Sequence, residues 1–249
     1  MASSLNPSLL LMGRCSCQGQ SEEKCSTSIL YQLLNRGCQC GAAQERALLS
    51  PWATSKAASE VLLKTVEFVK KLPSFLALPP QDCAKLLQEG WAPLFLLGLA
   101  QEKLDFHLAS PKKSILLGIL TEKQQQQGDS GGQYREKLGK AKEFLNQCWS
   151  LDISTKEYVY LKGIVLFSPA APGLLWPHHI HYLQQEAKMT LQEHMSSLYP
   201  GAPSRLSQLL LTLDALRTIS ARCITELFFQ PIIGNTDMGV LLLELLYPS

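Results

Sequence analysis

Between Ser55 and Leu72 the apolar residues Leu62, Val66, Val69 and Leu72 recur three and four positions apart, the spacing of one face of an α-helix. This predicts a helix of about five turns, stopped by Pro73. The segment from Asp82 to Leu104 is apolar almost all round from Leu94 onward, as a helix through the centre of a thick domain is, and Pro93 inside it predicts a kink or break. "LDFHL" (104–108) alternates with the period of a short strand, and a helix is expected from about Lys112 to Glu122. Residues 123–133, "KQQQQGDSGGQ", read as a flexible surface loop because Gln, Gly and Ser bury little area, and helical pattern resumes at Tyr134.

Ser154 followed three residues later by Glu157 fits a capping box, which predicts a helix from Thr155 to about Phe167, ended by "SPAAPG". Two longer stripes follow. Ile180, Leu183, Ala187, Leu191, Met195 and Leu198 form one, and Leu206, Leu209, Leu210, Leu213, Leu216, Ile219, Ile224 and Leu227 form the other. "FFQPIIGNTD" is expected to break the chain before a last helix, Met238 to Leu246, capped by Asp237. Repeats of 20 to 50 residues are absent and strand signal is almost nil, so the fold class is all-α.

Before residue 55 the pattern differs: the first 54 residues are small, polar and Cys-rich, with a single apolar knot. The expected organisation is therefore a flexible arm, 1–54, and a helical domain, 55–249. The knot is Ile29, Leu30, Leu33 and Leu34, where L-x-x-L-L sets three leucines on one face of two helical turns. Within a core helix such a match means only core. Standing alone in a polar arm, it reads as a helix that docks in a partner's apolar groove. The looser copy at 116–120 falls in an expected domain helix and reads as buried.

Composition narrows the function. The 249 residues are 46% hydrophobic and 18% charged, and 23 Lys and Arg against 21 Asp and Glu leave +2. That is enough apolar material for a core, and no basic face announces a nucleic-acid surface. The apolar patch Leu9–Met12 is too short for a secretory signal and Pro93–Ala100 too short to span a bilayer, so an intracellular chain with reduced thiols is expected. Five of the eight cysteines precede residue 41, but C-x-C at 15–17 and 38–40 is not the usual zinc knuckle spacing, and His178, His179 and His181 read as a solvated helix start. Neither metal nor cofactor is assigned. The common catalytic motifs are absent, and an enzyme is not expected.

The stretch 68–97, "FVKKLPSFLALPPQDCAKLLQEGWAPLFLL", resembles the signature of the nuclear-receptor ligand-binding domain. Phe68, Lys70, Pro73, Phe75, Leu78, Asp82, Leu86, Leu87 and Trp91 carry the resemblance at the family's spacing. "LLLELL" (241–246) looks like the family's final activation helix, with Glu244 in the acidic place. "WAPLFLLGLAQ", "ISTKEYVYLKG" and "LFFQPIIG" resemble the subfamily of nuclear receptors that lacks a DNA-binding domain.

The resemblance implies a layered helical sandwich with a short β-hairpin. It also implies a coregulator groove floored by Val66, Ala84, Leu87, Leu241 and Leu245 and bracketed by Lys70 and Glu244. In that groove Lys70 would meet the exposed carbonyls at one end of a docked helix and Glu244 the N–H groups at the other. A corepressor follows, binding the ligand-binding domains of other nuclear receptors through its leucine box, competing with coactivators, recruiting corepressor proteins and not binding DNA itself. Its expected location is the nucleus, with the cytoplasm as a second. The alternative is a sensor or carrier of a small lipophilic ligand, since the fold commonly encloses an apolar pocket.

Overall fold

The computed structural model describes residues 51–104, 130–199 and 204–248, and all statements of structure concern these. Helix α1 (Pro51–Lys70) starts at Pro51, ahead of the expected Ser55; a first-turn proline costs no hydrogen bond because its N–H would be unpaired there anyway. Pro73 ends nothing further: it opens the short helix α2 (Pro73–Leu76), from which exposed Leu76 projects. Helix α3 (Pro80–Gln101) runs through Pro93 without interruption. An interior proline costs about 3 kcal/mol. Here Trp91, Ala92, Leu94, Phe95, Leu96 and Leu97 around it are all buried, and that packing outweighs the loss.

Helix α4 (Ser130–Ser150) begins inside the stretch expected to be loop. Helix α5 (Thr155–Leu166) has its expected start: Ser154 Oγ accepts from Glu157 N, and the Glu157 carboxylate accepts from Ser154 N at 2.6 Å. In α6 (Pro177–Leu198) Ile180, Leu183, Leu191 and Met195 are buried, whereas Leu198 in the last turn is exposed. The following stripe is not one helix. Helix α7 (Ser204–Leu216) ends in i→i+3 bonds at 217–219, Ser220 is extended, and α8 (Ala221–Ile224) restarts the chain with Ile219 still inward.

"FFQPII" does not break the chain: a π-helical turn (Thr225–Phe229) leads into α9 (Gln230–Ile233), and only 234–237 is non-helical. The wider turn lets two consecutive aromatics, Phe228 and Phe229, both point inward, against Phe95 at 5.3 and 5.1 Å between ring centroids. Helix α10 (Met238–Leu246) has its expected bounds, and Asp237 Oδ1 accepts from Val240 N at 3.1 Å.

Helix α3 is the centre of the domain, in contact with α1, α4, α5, α8 and α10. Gly98 makes its crossing with α1 close: a Cβ there would stand 2.7 Å from Val61 Cγ1 and 3.1 Å from Thr65 Oγ1. No strand occurs among the described residues, so the hairpin is not part of the observed fold; the "LDFHL" strand beyond Leu104, the 112–122 helix and the whole leucine box lie outside them.

Candidate functional site

The last helix lies across α1 and α3, the two elements that carry the expected groove floor. Its apolar positions make this stable: Met238, Leu241, Leu242, Leu245 and Leu246 are all buried, as are Val66 and Leu87 beneath, with Ala84 half-buried. Two hydrogen bonds hold it in place. Lys70 Nζ donates to the Leu245 carbonyl at 3.2 Å, satisfying an end group that has no partner within the helix. Tyr247 Oη donates to the Pro80 carbonyl at 3.2 Å, at the start of α3. Gly239 at the other end lies over Gln88, whose Nε2 is 3.3 Å from where a Cβ would be.

Lys70 is bonded to the residue after Glu244, and Glu244 itself is exposed. The sequence Leu242-Leu243-Glu244-Leu245-Leu246 repeats the L-x-x-L-L pattern of the arm, so the helix resting on this face has the leucine spacing of a docking helix.

Two side chains outside the expected set also shape the region. Asp82, fully buried, accepts from Leu175 N at 2.7 Å and Trp176 N at 2.9 Å, tying the loop before α6 to α3. Its place in the signature is visible in the sequence, but its partners, 93 and 94 residues away, are not. Glu157 is fully buried and meets Arg205 through both oxygens, at 2.7 and 3.0 Å, while Arg205 stacks 4.9 Å over Tyr199. Burial pushes the Glu157 carboxyl up, but the bonds from Arg205 and Ser154 outweigh it and hold it below the ordinary range.

No group of His, Cys, Asp and Glu among the described residues is placed to hold a metal, and His178, His179 and His181 are exposed on α6. Cys148 is buried, its thiol pushed up to about 12, chiefly by desolvation, so it is not a reactive nucleophile. No described helix is long and apolar enough to cross a membrane. Between α3 and the π-helical turn, Trp91, Phe95, Phe228 and Phe229 pack ring to ring. A cavity of about 490 Å³ opens elsewhere, among α3, α5, α6 and α7.

These features agree with comparison to known proteins. Residues 53–232 match the model for the ligand-binding domain of nuclear hormone receptors, and the chain belongs to that family. It is similar, at 42% identity over 94% of the chain and 96% of the relative, to nuclear receptor subfamily 0 group B member 2 of Homo sapiens, the small heterodimer partner. It is 40% identical over 82% of its length to member 1 of the same group from Sus scrofa, covering 48% of that longer protein. The fold is that of the Ultraspiracle ligand-binding domain from Drosophila melanogaster, with TM-score 0.61 and 24% identity over 89% of this chain and 99% of that one.

Proposed function

We propose that this protein is a nuclear transcriptional corepressor that acts by protein contact. Its leucine box, Ile29, Leu30, Leu33 and Leu34, docks in the coregulator groove of another nuclear receptor's ligand-binding domain and excludes the coactivator helix that needs the same surface. Its own domain then recruits corepressor proteins. The observation that carries the reading is the pairing of two L-x-x-L-L sequences in one chain: one in the arm, and one in α10, which rests on α1 and α3 with Lys70 at its C-terminus. A chain whose α10 covers that face has little groove to offer a coactivator until α10 moves, which suits a repressor better than an activator.

The test is the double variant Leu33→Ala with Leu34→Ala. Burying a leucine contributes about 1.5 to 3 kcal/mol, less the cost of ordering the arm, so affinity for an immobilised receptor ligand-binding domain is expected to fall at least tenfold. The melting temperature should fall by less than about 4 °C, the shift about 1 kcal/mol produces in a domain of this size. If the box were instead part of the domain core, two truncations at about 2 to 5 kcal/mol each would lower it far more. Retained affinity would sink the proposal.

A further inference from the structure

We propose that the cavity of about 210 Å³ between the C-terminal ends of α3 and α4 and the start of α5 is a binding site for a small polar α-amino acid. Its volume is below the roughly 300 Å³ at which drug-sized pockets begin, so the occupant is small. Tyr158, only 4% exposed, forms its base. Among the described residues Ser55 Oγ is the one fully enclosed side-chain polar atom without a partner, so the Tyr158 hydroxyl, which is unpaired too, opens onto the cavity. A buried hydroxyl left unpaired is costly, and a ligand group that bonds to it removes the cost. Burial pushes the Tyr158 phenol up, so it stays protonated and can both donate and accept.

Exposed Lys103 and Asp152 stand at the mouth. They are the two non-glycine residues with left-handed backbone among the described residues, at φ 51° and 44°, and both line this one cavity. Each follows a helix end, where the chain reverses hand and glycine is the least strained residue. After α3, Lys103 N donates to the Ala100 carbonyl and Leu104 N to the Leu99 carbonyl; after α4, Asp152 N donates to the Trp149 carbonyl. Backbone geometry alone favours glycine at both positions. Side chains of opposite charge are kept there instead, at a cost in strain that a ligand at the cavity mouth explains.

Lys103 and Asp152 are the charged residues of the lining, and neither is ion-paired among the described residues. The charges beside them are engaged elsewhere: Glu102 with Lys64 at 3.0 Å, Glu157 with Arg205, and Lys162 on Gln101 Oε1 at 2.6 Å. Exposed Lys156 is the exception. It lies next to Thr155 in the first turn of α5, where the Ser154 cap serves Glu157 N and leaves the N–H groups of Thr155 and Lys156 over. A carboxylate is therefore held by Lys103 and the positive end of α5, and an ammonium group by Asp152 against the negative ends of α3 and α4. With both charges at the mouth, the ligand's side chain points inward to the Tyr158 hydroxyl, which favours a hydroxyl over a methyl group of the same shape.

The experiment follows thermal unfolding of the full chain with L-threonine, D-threonine, L-valine, and the N-acetyl and methyl-ester derivatives of L-threonine. L-Threonine should raise the melting temperature by about 3 to 6 °C at about ten times its dissociation constant. Isosteric L-valine should bind about 3- to 10-fold more weakly, and Tyr158→Phe should erase that preference. The derivatives, each lacking one charge, and the D-enantiomer should give no comparable rise. Lys103→Gly and Asp152→Gly relieve the left-handed strain, so each should unfold at or near the wild-type temperature without ligand, yet lose the response to L-threonine. If both glycine variants unfold well below the wild type, the two charges belong to the fold and the inference fails. It fails equally if L-threonine leaves the wild type unshifted, if the derivatives or the D-enantiomer act as L-threonine does, if the response survives in the glycine variants, or if Tyr158→Phe keeps the preference.

Discussion

Glu157 does three jobs with one buried carboxylate: it closes the capping box of α5, receives both arms of Arg205 and, through Arg205, reaches the Leu151 carbonyl at 3.1 Å. Breaking such a group from one side leaves a charge stranded, so Arg205→Ala is expected to cost about 3 kcal/mol in chemical denaturation at neutral pH. The sign of its pH dependence follows from the lowered carboxyl. A folded value below the ordinary 4.5 means that the stabilisation is complete above 4.5 and lost as pH falls through the folded value. The gap between wild type and variant should therefore close in acid, and a gap independent of pH would show that the pair is not its source. Ser154 and Glu157 were legible together because a cap is local, three residues apart. Arg205, 48 residues on, was not, since nothing in the spacing of a lone Arg says which buried acid it will meet.

At the scale of elements, close approach of helices decides more than propensity. Gly98 lets α3 lie against α1, and Gly98→Ala is expected to destabilise the domain by about 1 to 3 kcal/mol, because the rigid Val61 branch at 2.7 Å has no room to yield. A substitution that left the unfolding midpoint unchanged would mean the helices can separate freely. Helix α10 is the other case. Its bounds and Asp237 cap follow from apolar periodicity and cap chemistry. Its resting place on α1 and α3, with Lys70 on the Leu245 carbonyl, does not. Lys70→Ala should leave global stability within about 1 kcal/mol, the usual net worth of one partly exposed hydrogen bond, yet speed amide exchange in α10 several-fold. Exchange unchanged in α10 would mean that Lys70 does not hold it. If the carboxylate caps helices docked at this face, Glu244→Ala should weaken corepressor recruitment by about 1 to 3 kcal/mol and spare the arm's binding to receptors. Loss of both together would indicate unfolding.

The whole chain has a net charge of +2, from 23 Lys and Arg against 21 Asp and Glu. Electrostatic attraction to phosphates is correspondingly weak, and the purified chain is expected to show no sequence-specific duplex binding in a footprinting assay. Occupancy of chromatin in cells should vanish when the partner receptor is removed. A specific footprint by the protein alone would contradict both.

Helical class, most helix positions and the family signature were written locally, in three-to-four spacing, caps and the 68–91 pattern, because each depends on residues within a few turns of one another. Tertiary structure alone decided the rest, wherever distant packing overrode a local rule. Pro93 stays helical because its neighbours are buried on every side, "FFQPII" stays helical because a π turn sends both phenylalanines into the core, and Leu198, on the apolar stripe, is exposed in the last turn of α6. The candidate groove illustrates the same division. Its apolar and charged residues are visible in the sequence, but whether Lys70 waits for a partner or holds the chain's own last helix depends on contacts 175 residues apart, which no local spacing encodes.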